Sequence, residues 1–367
     1  MRVLLVTRSI NKVLGGLEKQ ILAIAEGLAD LNHEVYIVSL DSGRVEPFYI
    51  DKGHPNIKWL GLGIGDPAQS ANLLQKFRRQ QSLTRLISEL KPDIAVAFMI
   101  GALIYSRIPT FLTRVPLILA ERNSPDIYTQ TSAKRWRYLY FLLMRLAKRV
   151  TIQIPEYADK YPRFLRKRLV SIPNSIDSPR VKKLHFNGNP NFVYGGRFSF
   201  QKRLDLLIRS FDIYKKDGGK GSLLLFGSGE QEPSLRDLVE QLETPSVTFN
   251  KPLPDIRSVL DKADVNCLLS IWEGFPNFLA EGLKAGIPAI GIEGCDGVTH
   301  LVKNGENGWL ASEPNVSEIA SIMRSIDHLS EHDYLAFSKE ATKSMELYRS
   351  DEILKRWQKL LVSSVKV

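Results

Sequence analysis

Short apolar runs rich in β-branched residues alternate with amphipathic stretches along nearly the whole chain. RVLLVT is followed by a loop and by LEKQILAIAEGLADL, whose apolar positions recur at helical spacing. EVYIVSL, the helix LLQKFRRQQSLTRLISEL, DIAVAF, PLILAE, one long helix near 134–149 and RVTIQI continue the alternation. After residue 190 it resumes with NFVYGG, a helix over 203–216, SLLLFG, the helix SLRDLVEQL, VTFN, the helix IRSVLDKA, DVNCLLS, the helix FLAEGLKAG and PAIGI. Strands separated by helices of this length predict parallel sheets and an α/β class. Between the halves, residues 172–190 are dense in Pro, Asn, Ser and Gly without a sustained period, as expected of a connection. The pattern divides the chain at 1–172 and 173–349, and the last helix, within 350–367, is expected to pack back on the first half.

Length agrees: 367 residues suit two domains better than one. Two cysteines cannot build a disulfide framework, which points to a reducing compartment. Arg8 interrupts the first apolar run, so it reads as a buried strand rather than a signal peptide, and IAVAFMIGALIY is too short to span a bilayer. The net charge of +10 is uneven. Residues 1–170 hold 26 Lys/Arg against 14 Asp/Glu, a balance of +12, and the rest hold 24 against 26, or −2. Only the first half is thus suited to an anionic surface or polyanion. No zinc spacing, basic-zipper pattern or aromatic RNA-binding signature accompanies that charge, so nucleic acid is not the expected partner.

In sheets of this kind ligands bind beyond the carboxyl ends of the strands, and the motifs sit in those loops. Gly15-Gly16 opens a helix with bare amides that can approach a phosphate; an ordinary Gly-Gly turn explains it as readily. In VYGGRFSFQKR, Arg197 follows Gly195-Gly196 and Lys202 lies five residues on, two cations able to neutralise a diphosphate. Gly227 and Gly229 end the strand SLLLFG in a close-approach loop or a plain turn. In WEGFPNFLAEGLKAG, Glu273 precedes a helix and Glu281 lies within it, with Gly274, Phe275, Pro276, Asn277 and Phe278 between. One carboxylate can accept from two ribose hydroxyls and the other from a sugar; an exposed Glu and a capping Glu are the plain alternative. None of these loops carries the three-glycine dinucleotide fingerprint, which argues against a Rossmann oxidoreductase.

GGLEKQ, IPNSID, GRFSFQKRLDLLIRSF, LLLFGSGE, EGFPNFLAEGLKAGIP and LVKNGENGWL occur in the order found in family-4 retaining glycosyltransferases, and the resemblance spans most of the chain. With AERNSP it is similar above all to bacterial members that build cell-surface polysaccharide or lipid-linked oligosaccharide. The resemblance implies two Rossmann-like domains facing across a cleft, the glycosyltransferase B fold. It implies a nucleotide-sugar donor, most often UDP-linked; no cofactor is expected, and no metal, since two cations and a helix end supply the positive charge and no His, Cys or carboxylate set has metal spacing. Arg197 and Lys202 would hold the donor diphosphate, Glu281 the ribose, and Glu273 the transferred sugar. Gly15, Gly16, Gly196, Gly227 and the stretch Gly274, Phe275, Pro276, Asn277 and Phe278 would line the donor. Where many relatives carry a His, this chain has Glu121, Arg122 and Asn123. A nucleotide-sugar epimerase or a non-catalytic nucleotide-sugar binder on the same fold is the rival reading.

The acceptor is expected to be a saccharide, polyprenyl-diphosphate-linked, reached from the cytoplasmic face of an anionic membrane. SAKRWRYLYFLLMRLAKRV has six basic residues and no acid. As one continuous helix it places Lys134, Tyr138, Phe141, Arg145 and Lys148 on a membrane-facing stripe, and Trp136, Leu139, Leu143, Leu146 and Val150 on a core-facing one. Lys76, Arg78 and Arg79, with Arg122 and Asn123, are further candidates for the membrane or acceptor.

Overall fold

The computed structural model describes residues 1–10, 15–41, 53–64, 71–176, 186–253 and 256–365. Parts of the first glycine loop (11–14), of the connection (177–185) and of the loop after VTFN (254–255) lie outside the described residues. The chain forms two compact units, Met1–Ser175 with Ser350–Val367, and Ile176–Arg349.

Among the described residues the first unit holds seven parallel strands: β1 Arg2–Thr7, β2 Glu34–Ser39, β3 Ile57–Gly61, β4 Ile94–Phe98, β5 Leu117–Ala120, β6 Arg149–Ile152 and β7 Leu169–Ser171. Their order is β3-β2-β1-β4-β5-β6-β7. β1, β4 and β5 are apolar almost throughout because helices cover both faces of a parallel sheet. The helix Gly16–Asp30 packs Ile21, Ile24 and Leu28 on one face. The helix Ser350–Val365 completes that face with Ile353, Trp357 and Leu361, so the end of the chain belongs to the core of its beginning.

Among the described residues the second unit has six parallel strands: β8 Asn191–Arg197, β9 Ser222–Ser228, β10 Val247–Asn250, β11 Val265–Cys267, β12 Ala289–Ile292 and β13 Gly308–Ala311. Their order is β10-β9-β8-β11-β12-β13. The sequence pattern missed β3, β7 and β13 and the helices Met99–Leu112, Val316–Asp327 and Glu331–Ser344. Cys267 and Cys295 are unpaired and buried.

The expected helix near 134–149 is broken. A 3-10 turn covers Ser132–Trp136 and the α-helix only Arg137–Met144. Its end tightens, with Leu146 N donating to Leu143 O and Ala147 N to Met144 O. Lys148 N then donates to Leu117 O at 2.7 Å, so pairing with β5 takes the chain over before another helical turn can form.

Candidate functional site

In the second unit the strand order reverses at β8, which lies between β9 and β11. An open parallel sheet offers its ligand crevice at such a reversal, because the loops leaving the two strands diverge to opposite faces. The loops leaving β8 and β11 are the ones that carry the Arg/Lys pair and the Glu pair.

Arg197 is the last residue of β8 and is exposed. The chain then makes a 3-10 turn, Phe200–Lys202, and enters the helix Leu204–Lys216 through Arg203, which takes a left-handed φ of 52°. Lys202 therefore ends the turn ahead of the helix rather than starting it. After β11, Glu273 is buried and accepts from Lys202 Nζ at 2.5 Å. The two loops are also stitched through backbone: Ile271 N donates to Gln201 O at 2.9 Å, and Gln201 Nε2 to Trp272 O. An ammonium has three donors, so after the bond to Glu273 two remain for an anion.

Pro276 precedes the helix Asn277–Lys284, which Asn277 opens and on which Glu281 is buried. Asn266 of β11 donates from Nδ2 to Phe278 O at 3.0 Å and so fixes the first turn of that helix. Phe278 reaches back to β8: a Cβ on Gly195 would lie 2.3 Å from its ring. The third glycine loop joins by the same means. Gly227 at the end of β9 has φ +157°, and a Cβ there would lie 1.9 Å from Gly196 O. The glycines thus let the ends of β8 and β9 and the first turn of the helix Asn277–Lys284 close on one another, beside the Lys202–Glu273 pair.

The field is shared as well. Burial, and then the Glu273 carboxylate, raise the Tyr194 phenol well above its ordinary range, while Arg197 opposes them. The Cys295 thiol is pushed up to about 12 by burial and Glu273, with Lys202 acting against the shift. Tyr194 also donates to Arg197 O at 2.8 Å, holding the turn on which Arg197 sits. Tyr194, Gln201 and Asn266 were not singled out from the sequence. Their signal is weak: each is a lone polar residue in or beside an apolar strand or turn.

The first unit has its own reversal between β1 and β4. Gly15, itself without a side chain, stands at the N-cap of the helix Gly16–Asp30 in an extended conformation. Past β4, Met99 takes a left-handed φ of 70°, an uncommon conformation for a residue with a side chain. Past β5, Glu121 is fully buried and accepts from Arg122 N, Asn123 N (3.1 Å each) and Tyr128 OH (2.9 Å). Burial raises its carboxyl above the ordinary carboxylate range against those three bonds.

Three residues depart from their expected roles. Arg122 is buried, donates from Nη1 to Ile172 O and Asn174 Oδ1, and lies over the Trp357 ring at 5.2 Å. It is tied to the interior of the first unit rather than presented at the surface. Burial lowers its guanidinium to about 10. Arg79 is buried too, donating from Nε to Ile64 O and from Nη1 to Tyr105 OH, while Lys76 and Arg78 are exposed. Phe141 packs edge-on between Tyr128 and Tyr161 in the core, because those two rings, distant in sequence, form its pocket. The membrane and core stripes are accordingly interchanged in part. Phe141, Met144 and Ala147 face inward, Trp136, Leu139 and Leu146 outward, and Tyr138 and Arg145 are exposed as expected. Lys148 leaves the stripe as well, donating to Ser364 O. Asn123 is half-buried.

The pattern of the family described as Glycosyltransferase Family 4 matches residues 14–180, and that of Glycosyl transferases group 1 matches 175–344. An uncharacterized glycosyltransferase of Haemophilus influenzae is 25% identical over 354 residues, 95% of this chain and 96% of that one. A Campylobacter jejuni α-1,4-N-acetyl-D-galactosaminyltransferase, named for a diNAcBac-PP-undecaprenol-linked GalNAc acceptor, is 21% identical over 98% of both chains. Anabaena HepE, solved in complex with UDP and glucose, superposes with a TM-score of 0.79 at 17% identity, covering 99% of this chain and 100% of that one. No helix among the described residues is long and apolar enough to cross a membrane. With the two family patterns together covering residues 14–344 and both parallel sheets in place, the chain belongs to the family-4-type glycosyltransferases of the GT-B fold.

Proposed function

We propose that this transferase moves a hexose or N-acetylhexosamine from a UDP-sugar, with retention of configuration, onto a lipid-linked saccharide used in cell-surface glycan synthesis. The observation that carries the donor reading is the Lys202–Glu273 pair, set at the β8/β11 reversal with Arg197 and Glu281 on elements locked to it. Arg197 and Lys202 neutralise the diphosphate as the bond from the anomeric carbon to the phosphate oxygen breaks. The acceptor hydroxyl attacks from the same face, forms the new glycosidic bond, and gives its proton to the departing phosphate oxygen. Glu281 binds the ribose, and Glu273 meets the sugar while holding Lys202. The chemistry asks the protein mainly to position two substrates and stabilise charge.

UDP in the HepE complex supports the nucleotide, and the PP-undecaprenol acceptor named for the Campylobacter relative supports the acceptor class. An amylovoran biosynthesis glycosyltransferase of Erwinia amylovora, 23% identical over 95% of this chain, supports a polysaccharide setting. Peripheral docking on the cytoplasmic face of an anionic membrane fits the first unit's surface. Trp136, Tyr138, Leu139, Leu142 and Leu146 are exposed there. Residues 99–150 hold nine Lys/Arg against two acids, one of which, Glu121, is buried. Rings at headgroup level beside cations suit an anionic interface, each cation contributing about 1 kcal/mol.

The test is a panel of UDP, GDP and ADP read by thermal shift, followed by UDP-sugars and the anomeric configuration of the product. UDP at 100 times its Kd stabilises by about 2.7 kcal/mol. In a unit of this size that raises Tm by roughly 5–10 °C. No shift with any nucleoside diphosphate refutes the donor reading. An inverted product refutes retention alone. For docking, wild type floats with anionic vesicles at low salt, and Trp136→Ser with Leu139→Ser weakens this. Failure of wild type to float removes the membrane assignment.

A further inference from the structure

The Glu273 loop is held from behind by a tyrosine far along the chain. Phe275, two residues after Glu273, is buried, and its ring lies 5.3 Å from that of Tyr348, tilted by 54°. Tyr348 closes the 3-10 turn Glu346–Tyr348 and is buried as well. Its hydroxyl lies 2.9 Å from His300 Nε2, which stops the ring from swinging away from Phe275. The same turn meets the far end of the Glu-pair segment, since Lys284, the last residue of the helix Asn277–Lys284, donates to Glu346 at 2.7 Å. It also holds the chain where it changes units. Ile176 N donates to Tyr348 O at 2.8 Å, and the two crossings fall at Ser175/Ile176 and Arg349/Ser350.

We infer that Tyr348, steadied by His300, is a positioning residue for the transfer reaction. It sets Phe275, and through Phe275 the Glu273 carboxylate, and it ties that geometry to both chain crossings. The inference rests on the reading of Glu273 and Glu281 as donor contacts. Its physical basis is that the loop Gly274–Pro276 has one large side chain, and the Tyr348 ring is the aromatic face against which that side chain is fixed. A reaction governed by placement is sensitive to that face: a displacement of ~1 Å can cost about 10²-fold in rate. Nucleotide binding depends instead on Arg197, Lys202 and Glu281, which stand on β8, its turn and the helix, and is expected to survive.

The test compares wild type, Tyr348→Phe and Tyr348→Leu by UDP affinity and site number in calorimetry, and by kcat and KM with the UDP-sugar that wild type uses. Tyr348→Leu should lower kcat by about 10–100-fold per UDP-binding site while UDP affinity changes less than about 3-fold. Tyr348→Phe keeps the ring and should keep most of kcat. A merely structural tyrosine would instead lower the number of UDP sites and leave kcat per site unchanged. In a cycle with Phe275→Leu, the double variant should cost little more than the worse single one, because Tyr348 acts through Phe275. If Tyr348→Leu does not fold, Tyr348→Met, which keeps the volume without the flat ring, is read on the same axes. Wild-type kcat per site in the variant that folds, or additive losses in the cycle, overturns the inference and leaves the donor reading intact. Failure of wild type to bind any nucleotide overturns both.

Discussion

Removing Lys202 separates what it does for the fold from what it does for the reaction. Its side chain is 20% exposed and meets a Glu273 side chain only 8% exposed. Lys202→Met leaves that carboxylate buried without its cation. Breaking one side of a buried pair typically costs 3–5 kcal/mol, and the part-exposed lysine end brings the expectation here to about 2–4 kcal/mol. For a unit of this size that lowers Tm by roughly 5–15 °C. Turnover should fall by about 10²–10³-fold, the cost of losing one group that stabilises the leaving charge. Adding Glu273→Gln removes the orphaned charge, so most of the stability should return. Turnover should not, because the diphosphate still lacks its cation. Urea denaturation and steady-state turnover on both variants decide the matter. If Lys202→Met is as stable as wild type, or if the double variant recovers turnover together with stability, the pair does not work as described.

Glu281→Gln should weaken UDP binding by roughly 10-fold or more, the scale of one charge-assisted hydrogen bond, whereas Glu273→Gln should lower turnover more than affinity; titration calorimetry with kinetics will tell whether the two roles are distinct. Arg197→Ala should lose about 10²–10³-fold in turnover with an unchanged melting curve, since the side chain is exposed, and a near-normal rate would remove Arg197 from the leaving-group role. Gly227→Val should lose both soluble yield and UDP binding, because its Cβ would lie 1.9 Å from Gly196 O at φ +157°; normal UDP affinity in that variant would mean that the closure of the glycine loops is dispensable. Activity should survive EDTA, since Arg197, Lys202 and a helix end supply the positive charge, and inactivation reversed by Mg²⁺ or Mn²⁺ would disprove it.

Much of this molecule is written in local pattern. Apolar runs of four to seven residues bounded by Gly, Pro and Asn specify strands, and helices between them force the strands parallel. The place of the proposed second-unit site in the fold was legible as well. The proposed contacts stand close in sequence, Arg197 with Lys202 and Glu273 with Glu281, at or beyond the ends of strands whose sheet dictates where such ends lead. What sequence left open depends on contacts across the fold. Whether Phe141 faces lipid or core was decided by Tyr128 and Tyr161, which form its pocket and cannot be read from helical period. Arg79 and Arg122 looked like surface cations until backbone carbonyls and a ring of the last helix took them inside. The helix near 134–149 broke because β5 competed for its backbone. Tyr348 stands behind the Glu273 loop from 75 positions away. Periodicity reports one element's own preference. Burial, charge pairing and strand capture are set by whichever neighbour the tertiary fold delivers, and those neighbours fixed these side chains.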